Sequence, residues 1–224
     1  MALSHFWGIL RSRASDHTMS KRRDRVRRPG RRAPFRDPRP TILIVCEGER
    51  TEPEYLNGFW RACRNPRVLI HIPAEHGTPK TLVDIAKAYK NETRDTAEQK
   101  ADENIAYDQV WCVFDIDDHP NVADAKQMAR DNGIELAISN PCFELWLLVH
   151  FRDSPGMRDR AEVQAMLTQH VPDCKHVDYT VYFPTYLEAV ARATRMDQVA
   201  DTCGTPGHNP STNVYKLTEL IRTV

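Results

Sequence analysis

Three aspartates, Asp115, Asp117 and Asp118, stand within four residues of "VWCVFDIDDH", directly after a run of apolar, strand-forming residues. Like charges at such spacing repel, and a cation among them relieves the cost. Side chains alternate along an extended segment, so Asp115 and Asp117 can face the same way. A second acidic pair, Glu47 and Glu49, flanks Gly48 where another apolar run, "TILIVCEGE", ends. Carboxylates from two strands meeting at one sheet edge form an all-oxygen pocket suited to Mg2+ or Mn2+ with bound water and substrate phosphate. The corresponding chemistry is metal-assisted phosphoryl transfer: the cation polarises the phosphate, and a neighbouring carboxylate, Glu47 or Glu49, manages a proton. Taken alone, the DxDD run is equally explained by the turn and capping preferences of Asp. The glutamates on a separate strand favour the metal reading, with Glu47, Asp115, Asp117 and Asp118 as ligands. No arrangement suggests a Ser/His/Asp triad.

Other residues are weaker substrate-binding candidates. Glu144 enters an apolar helix after "SNP", either as a helix-dipole partner or as a further metal or substrate contact. Asn140 reads as the cap of that helix. Lys175 and His176 in "PDCKHVD" can face a phosphate or simply be solvated. His208, Asn209 and Ser211 can present backbone amides to an anion or form an ordinary loop-to-helix junction. Lys80 in "EHGTPK" has the same two readings, and the stretch is too short for a P-loop. Trp60, Trp111 and Trp146 fall on core faces and read as packing.

The elements that must position these groups alternate. Strands are expected at 41–48, 67–74, 106–117 and 134–140, and helices at 51–64, 78–92, 122–133 and 141–151, with 93–104 as loop or frayed helix end. Four strand–helix units with nearly continuous apolar strands specify an α/β core with a parallel four-stranded sheet flanked by helices, spanning 41–151. In such sheets ligands gather beyond the carboxyl ends of the strands, where the acids fall. Residues 152–224 read as a mostly helical C-terminal extension packed on the core, with helices at 159–170, 184–200 and 211–223.

The net charge is zero over 224 residues, but it is unevenly spread. Residues 1–40 hold 12 Lys/Arg against 3 Asp/Glu, leaving 19 against 28 in the rest. A basic arm on an acidic body suits a polyanion at the arm and cations at the body. The Arg/Pro-rich arm cannot bury a core and is expected to be disordered. Met19 resembles a natural start, so residues 1–18 read as an upstream extension. The six cysteines form no CxxC pair, no signal peptide is evident, and no apolar run reaches membrane-spanning length. A cytoplasmic protein without a membrane span is expected.

Four stretches, "ILIVCEGERTEPEY", "VWCVFDIDDH", "ISNPCFELWLLVHF" and "NPSTNVYKL", together resemble the RloB-like family of bacterial phage-defence (abortive-infection) proteins across 41–220. A Glu after the first strand and a DxD after the third are also similar to the Toprim domain of topoisomerases, primases and nucleases. The Toprim resemblance implies a glutamate in acid/base or metal chemistry, placed at Glu47, and aspartates holding Mg2+, placed at Asp115 and Asp117. The family resemblance implies an adjacent-gene AAA-type ATPase partner, and the chain itself carries no Walker A motif. The expected function is therefore a Mg2+-dependent nuclease acting on DNA or RNA, tRNA included. The alternatives are a non-enzymatic sensor or adaptor in an ATPase-containing complex and a nucleotidyl transferase.

Overall fold

The computed structural model describes residues 40–116, 122–173 and 176–223. The expectations for the arm over 1–39, for Asp117 and Asp118, and for Lys175 lie outside them. Strands β1 (Thr41–Cys46), β2 (Leu69–His71), β3 (Gln109–Asp115) and β4 (Glu135–Asn140) are parallel to their neighbours. A fifth strand, β5 (Ser211–Thr212), runs antiparallel to β4 and completes the order β2-β1-β3-β4-β5. Two residues are too few to leave an alternating pattern, so the sequence suggests four strands where the described residues hold five.

Helices cover both faces, which is why β1 and β3 are apolar on both sides. Leu43, Val45, Val110, Cys112 and Phe114 pack against α2 (Pro79–Lys100) and α3 (Val122–Asp131). Ile42, Ile44, Trp111 and Val113 face the other way, toward α1 (Thr51–Cys63), α4 (Glu144–Leu148), α5 (Arg160–Thr168), α6 (Tyr186–Thr202) and α7 (Val214–Thr223). The extension beyond residue 151 thus shares its core with the sheet. No helix among the described residues is long and apolar enough to cross a membrane.

Three elements differ from expectation. Helix α2 continues through the acidic segment to Lys100, because its charges project into solvent while Ala97 is buried and Ala101 closes the helix in a left-handed turn. Helix α4 is regular only over Glu144–Leu148, and all five of its residues are buried. The last helix starts at Val214, since Ser211 and Thr212 are taken by β5 and Asn213 fastens β4 by accepting from the Ile138 N–H and donating to the Leu136 carbonyl. Trp111 and Trp146 are buried in the core, and half-buried Trp60 donates its indole N–H to the Val68 carbonyl.

Candidate functional site

The carboxyl ends of β1 and β3 are joined through their acids. Glu47 continues the pairing of β1 by donating its backbone N–H to Val113, and its Oε2 then accepts the Asp115 backbone N–H at 2.9 Å. Asp115, the last residue of β3, is paired across the sheet with Ser139 and only 6% exposed. The two acids expected to meet at one rim do meet.

Two further carboxylates complete the rim. Glu52, in the first turn of α1, is buried with Asp115 and lies directly over the β1–α1 turn. A Cβ at residue 48 would stand 2.2 Å from Glu52 Oε2, so any side chain there would displace the Glu52 carboxyl from its place over the turn. Glu144 starts α4, is buried, and accepts from Gln164 Nε2 at 2.8 Å. Opposite them Arg160, the first residue of α5, donates through NH2 to Asp115 Oδ2 at 3.1 Å. The capping box of Asp159 and Glu162 sets the start of that helix. Arg160 and Gln164 are four residues apart and so face the rim together.

Four carboxylates against one guanidinium leave the rim with excess negative charge, and the protonation equilibria register it. Burial, then the charges of Glu144 and Glu47, push Glu52 up to about 7. Burial and Glu52 hold the Asp115 carboxyl well above its usual range, although Arg160 works in the opposite direction. Burial and Glu144 likewise raise the thiol of Cys142 beneath the rim. A divalent cation would relieve this repulsion, and the donors are all hard oxygens. By chemistry and charge the residues fit such an ion. Among the described residues no three acids, histidines or cysteines are arranged as a ligand set, and the remaining expected ligands, Asp117 and Asp118, lie outside them.

The other expected residues are dispersed. Glu49 is exposed and pairs with His76 Nε2 at 3.0 Å, away from the rim; of the two glutamates flanking Gly48, Glu47 is the one beside Asp115. His176 sits against the first turn of α1, with Nδ1 3.1 Å from Glu54 Oε2, which also accepts the Val177 N–H. Its partner is therefore a carboxylate of the fold. Lys80 is exposed in the first turn of α2. His208 is exposed and its N–H donates to Thr205, while Asn209 ties the loop to the backbone of Arg158. That stretch is a fastened junction. Asn140 does not cap α4: its Nδ2 donates to the Gly207 carbonyl, and the helix begins four residues later.

Glu52 and Arg160 are absent from the sequence-based set. Glu52 carries the same signal that selected Glu144, an acid in the first turn of a helix leaving the acidic sheet edge. Arg160 carries none, since only the packing of α5 brings it to β3.

A family model described as RloB-like protein matches residues 42–221. No match was found among curated proteins or among solved structures.

Proposed function

The chain belongs to the RloB-like family, and from that premise we propose that it is a divalent-metal-dependent nuclease acting in phage defence, together with a partner ATPase. The observation that carries the reading is the convergence of Glu47, Glu52, Asp115 and Glu144 at the carboxyl edge of a parallel sheet with Arg160 as counter-charge. The strand order and the placement of Glu47 and Asp115 also support a Toprim-like core. In this reading Glu47 and Asp115, with Asp117, hold Mg2+ or Mn2+. When bound there, such an ion would supply Lewis-acid polarisation of a scissile phosphate and stabilise charge on the attacking or leaving oxygen. Glu52, rather than outward-facing Glu49, is the carboxyl suited to exchange a proton near neutrality. Arg160, half exposed, neutralises Asp115 at rest and is within reach of an incoming phosphate.

The test is cleavage of DNA, RNA and tRNA with Mg2+ or Mn2+, comparing wild type with Asp115→Ala and Glu47→Ala. Removing either acid should lower the rate roughly a hundred-fold or more. Equal rates in all three proteins would refute the reading.

One observation favours a second reading. The ion pair between Arg160 and Asp115 already occupies a carboxylate that a metal would need, as it would in a non-catalytic adaptor. An ion that binds the folded state raises its melting temperature as concentration rises. No shift with Mg2+, Mn2+ or Ca2+ would favour the adaptor.

A further inference from the structure

A groove of about 1000 Å3 runs along α1. Its near end is marked by Pro53, which follows Glu52 in the chain, with Arg61 roughly 12 Å and Arg64 roughly 16 Å further along by helical rise. Gly58 sets the depth, since a Cβ there would stand 2.5 Å from the Cβ of Tyr179, which forms the opposite wall. Beside Tyr179, Phe183 lines the groove as a residue 56% exposed, the two ring centroids 6.2 Å apart in an edge-on arrangement. Past Arg61 and Arg64 the surface continues into a depression of about 330 Å3 lined by Trp60 and Pro66.

The charges along this path are sorted by whether they are already used. Both acids of the lining are engaged: Glu54 by the Val177 N–H and His176, Asp178 by the N–H and hydroxyl of Thr180. Arg61, Arg64 and exposed Arg67, by contrast, make no ion pair with a carboxylate among the described residues. Arg64 also adopts a left-handed backbone, φ 47°, at the end of α1, where glycine is the favoured residue. A guanidinium is kept there at a conformational cost.

Unpaired guanidinium groups beside an exposed aromatic face are the two elements that hold single-stranded nucleic acid: charges follow the phosphates and the ring stacks a base. We propose that the α1 groove is the path of a single-stranded nucleic acid leaving the acidic rim, with Phe183 stacking a base and Arg61 and Arg64 contacting phosphates. The assignment rests on the nuclease reading for its direction, because the groove begins one residue from Glu52.

The experiment measures binding of fluorescein-labelled oligo(dT) and oligo(U), and of a duplex, to the full chain in EDTA, so that it does not depend on cleavage. Phe183→Ala should weaken single-strand binding roughly ten-fold. Arg61→Glu should weaken it and flatten the salt dependence. Arg64→Gly should weaken binding while leaving the melting temperature unchanged or higher, which separates the effect from misfolding. Bromouridine cross-links should fall on residues 53–67 or 177–183. Wild-type affinity in all three variants, cross-links confined to residues 1–40, equal affinity for duplex, or capture of an apolar peptide in place of nucleic acid would overturn the groove assignment. If the variants lose binding but no protein cleaves any substrate, the groove stands and the nuclease reading falls. If cleavage requires Asp115 while the variants behave as wild type, the reverse holds.

Discussion

Glu52 shows how much one side chain can depend on its neighbours. It lies over Gly48, 6% exposed, where burial and the charges of Glu144 and Glu47 raise its pKa from 4.5 to about 7. Between those values the folded protein holds a proton that the unfolded chain releases, so this group makes stability fall as pH rises from about 4.5 to about 7. In the presence of a chelator, Glu52→Gln should therefore be more stable than wild type at pH 8, by up to roughly 3 kcal/mol. The difference should vanish below about pH 4.5. Denaturant melts at several pH values measure it, and a pH-independent difference would contradict the assignment. At this scale the sequence was half legible. Glu47 and Asp115 end apolar strands and could be read directly. Glu52 needed the folded turn to be seen as a buried acid, and Arg160 needed the docking of a helix 45 residues away from its partner.

Helix α5 is the element that steadies the rim from outside. Arg160 reaches Asp115 and Gln164 reaches Glu144, while Asp159 Oδ1 accepts the Glu162 N–H at 2.8 Å to fix the first turn. Removing the cap with Asp159→Ala should cost about 1 kcal/mol in urea unfolding. It should also loosen both contacts, so any cleavage activity should fall with the cap although Asp159 itself lies outside the carboxylate cluster. A variant with full stability would show that the capping box does not hold the helix. Strands β1 and β3 were readable as continuous apolar runs ended by turn residues, because both of their faces are buried, and α1 was readable by its helical period, because one face is buried. The extra turns of α2, the short α4 and the two-residue β5 were not, because solvent-facing charge, burial on all sides and insufficient length each erase that pattern.

Across the whole molecule, His150 joins the parts that pack on one face of the sheet. Its Nδ1 must donate to the Tyr182 carbonyl at 3.0 Å, leaving Nε2 to accept from the Tyr55 hydroxyl at 3.0 Å. The ring thus links α1 to the segment before α6. Burial lowers its pKa from 6.5 to about 3. The unfolded chain binds a proton that the native ring refuses, so stability should fall by about 1.4 kcal/mol per pH unit below about 6.5. His150→Gln, which does not titrate, should show a shallower loss between pH 6.5 and 4.5; parallel curves would exclude His150 as the origin. The α/β class and the parallel order were legible at this scale. That a C-terminal helical extension packs on the core was expected too, whereas which of its faces meet the sheet depends on contacts between distant residues.

The sheet is bounded by β2, three residues long, and by β5, two residues long. Neither border offers an extended run of unsatisfied amides and carbonyls on which another chain could template itself. Among the described residues, the side chains on the helical faces are thus a larger surface for contact than the ladder's edges.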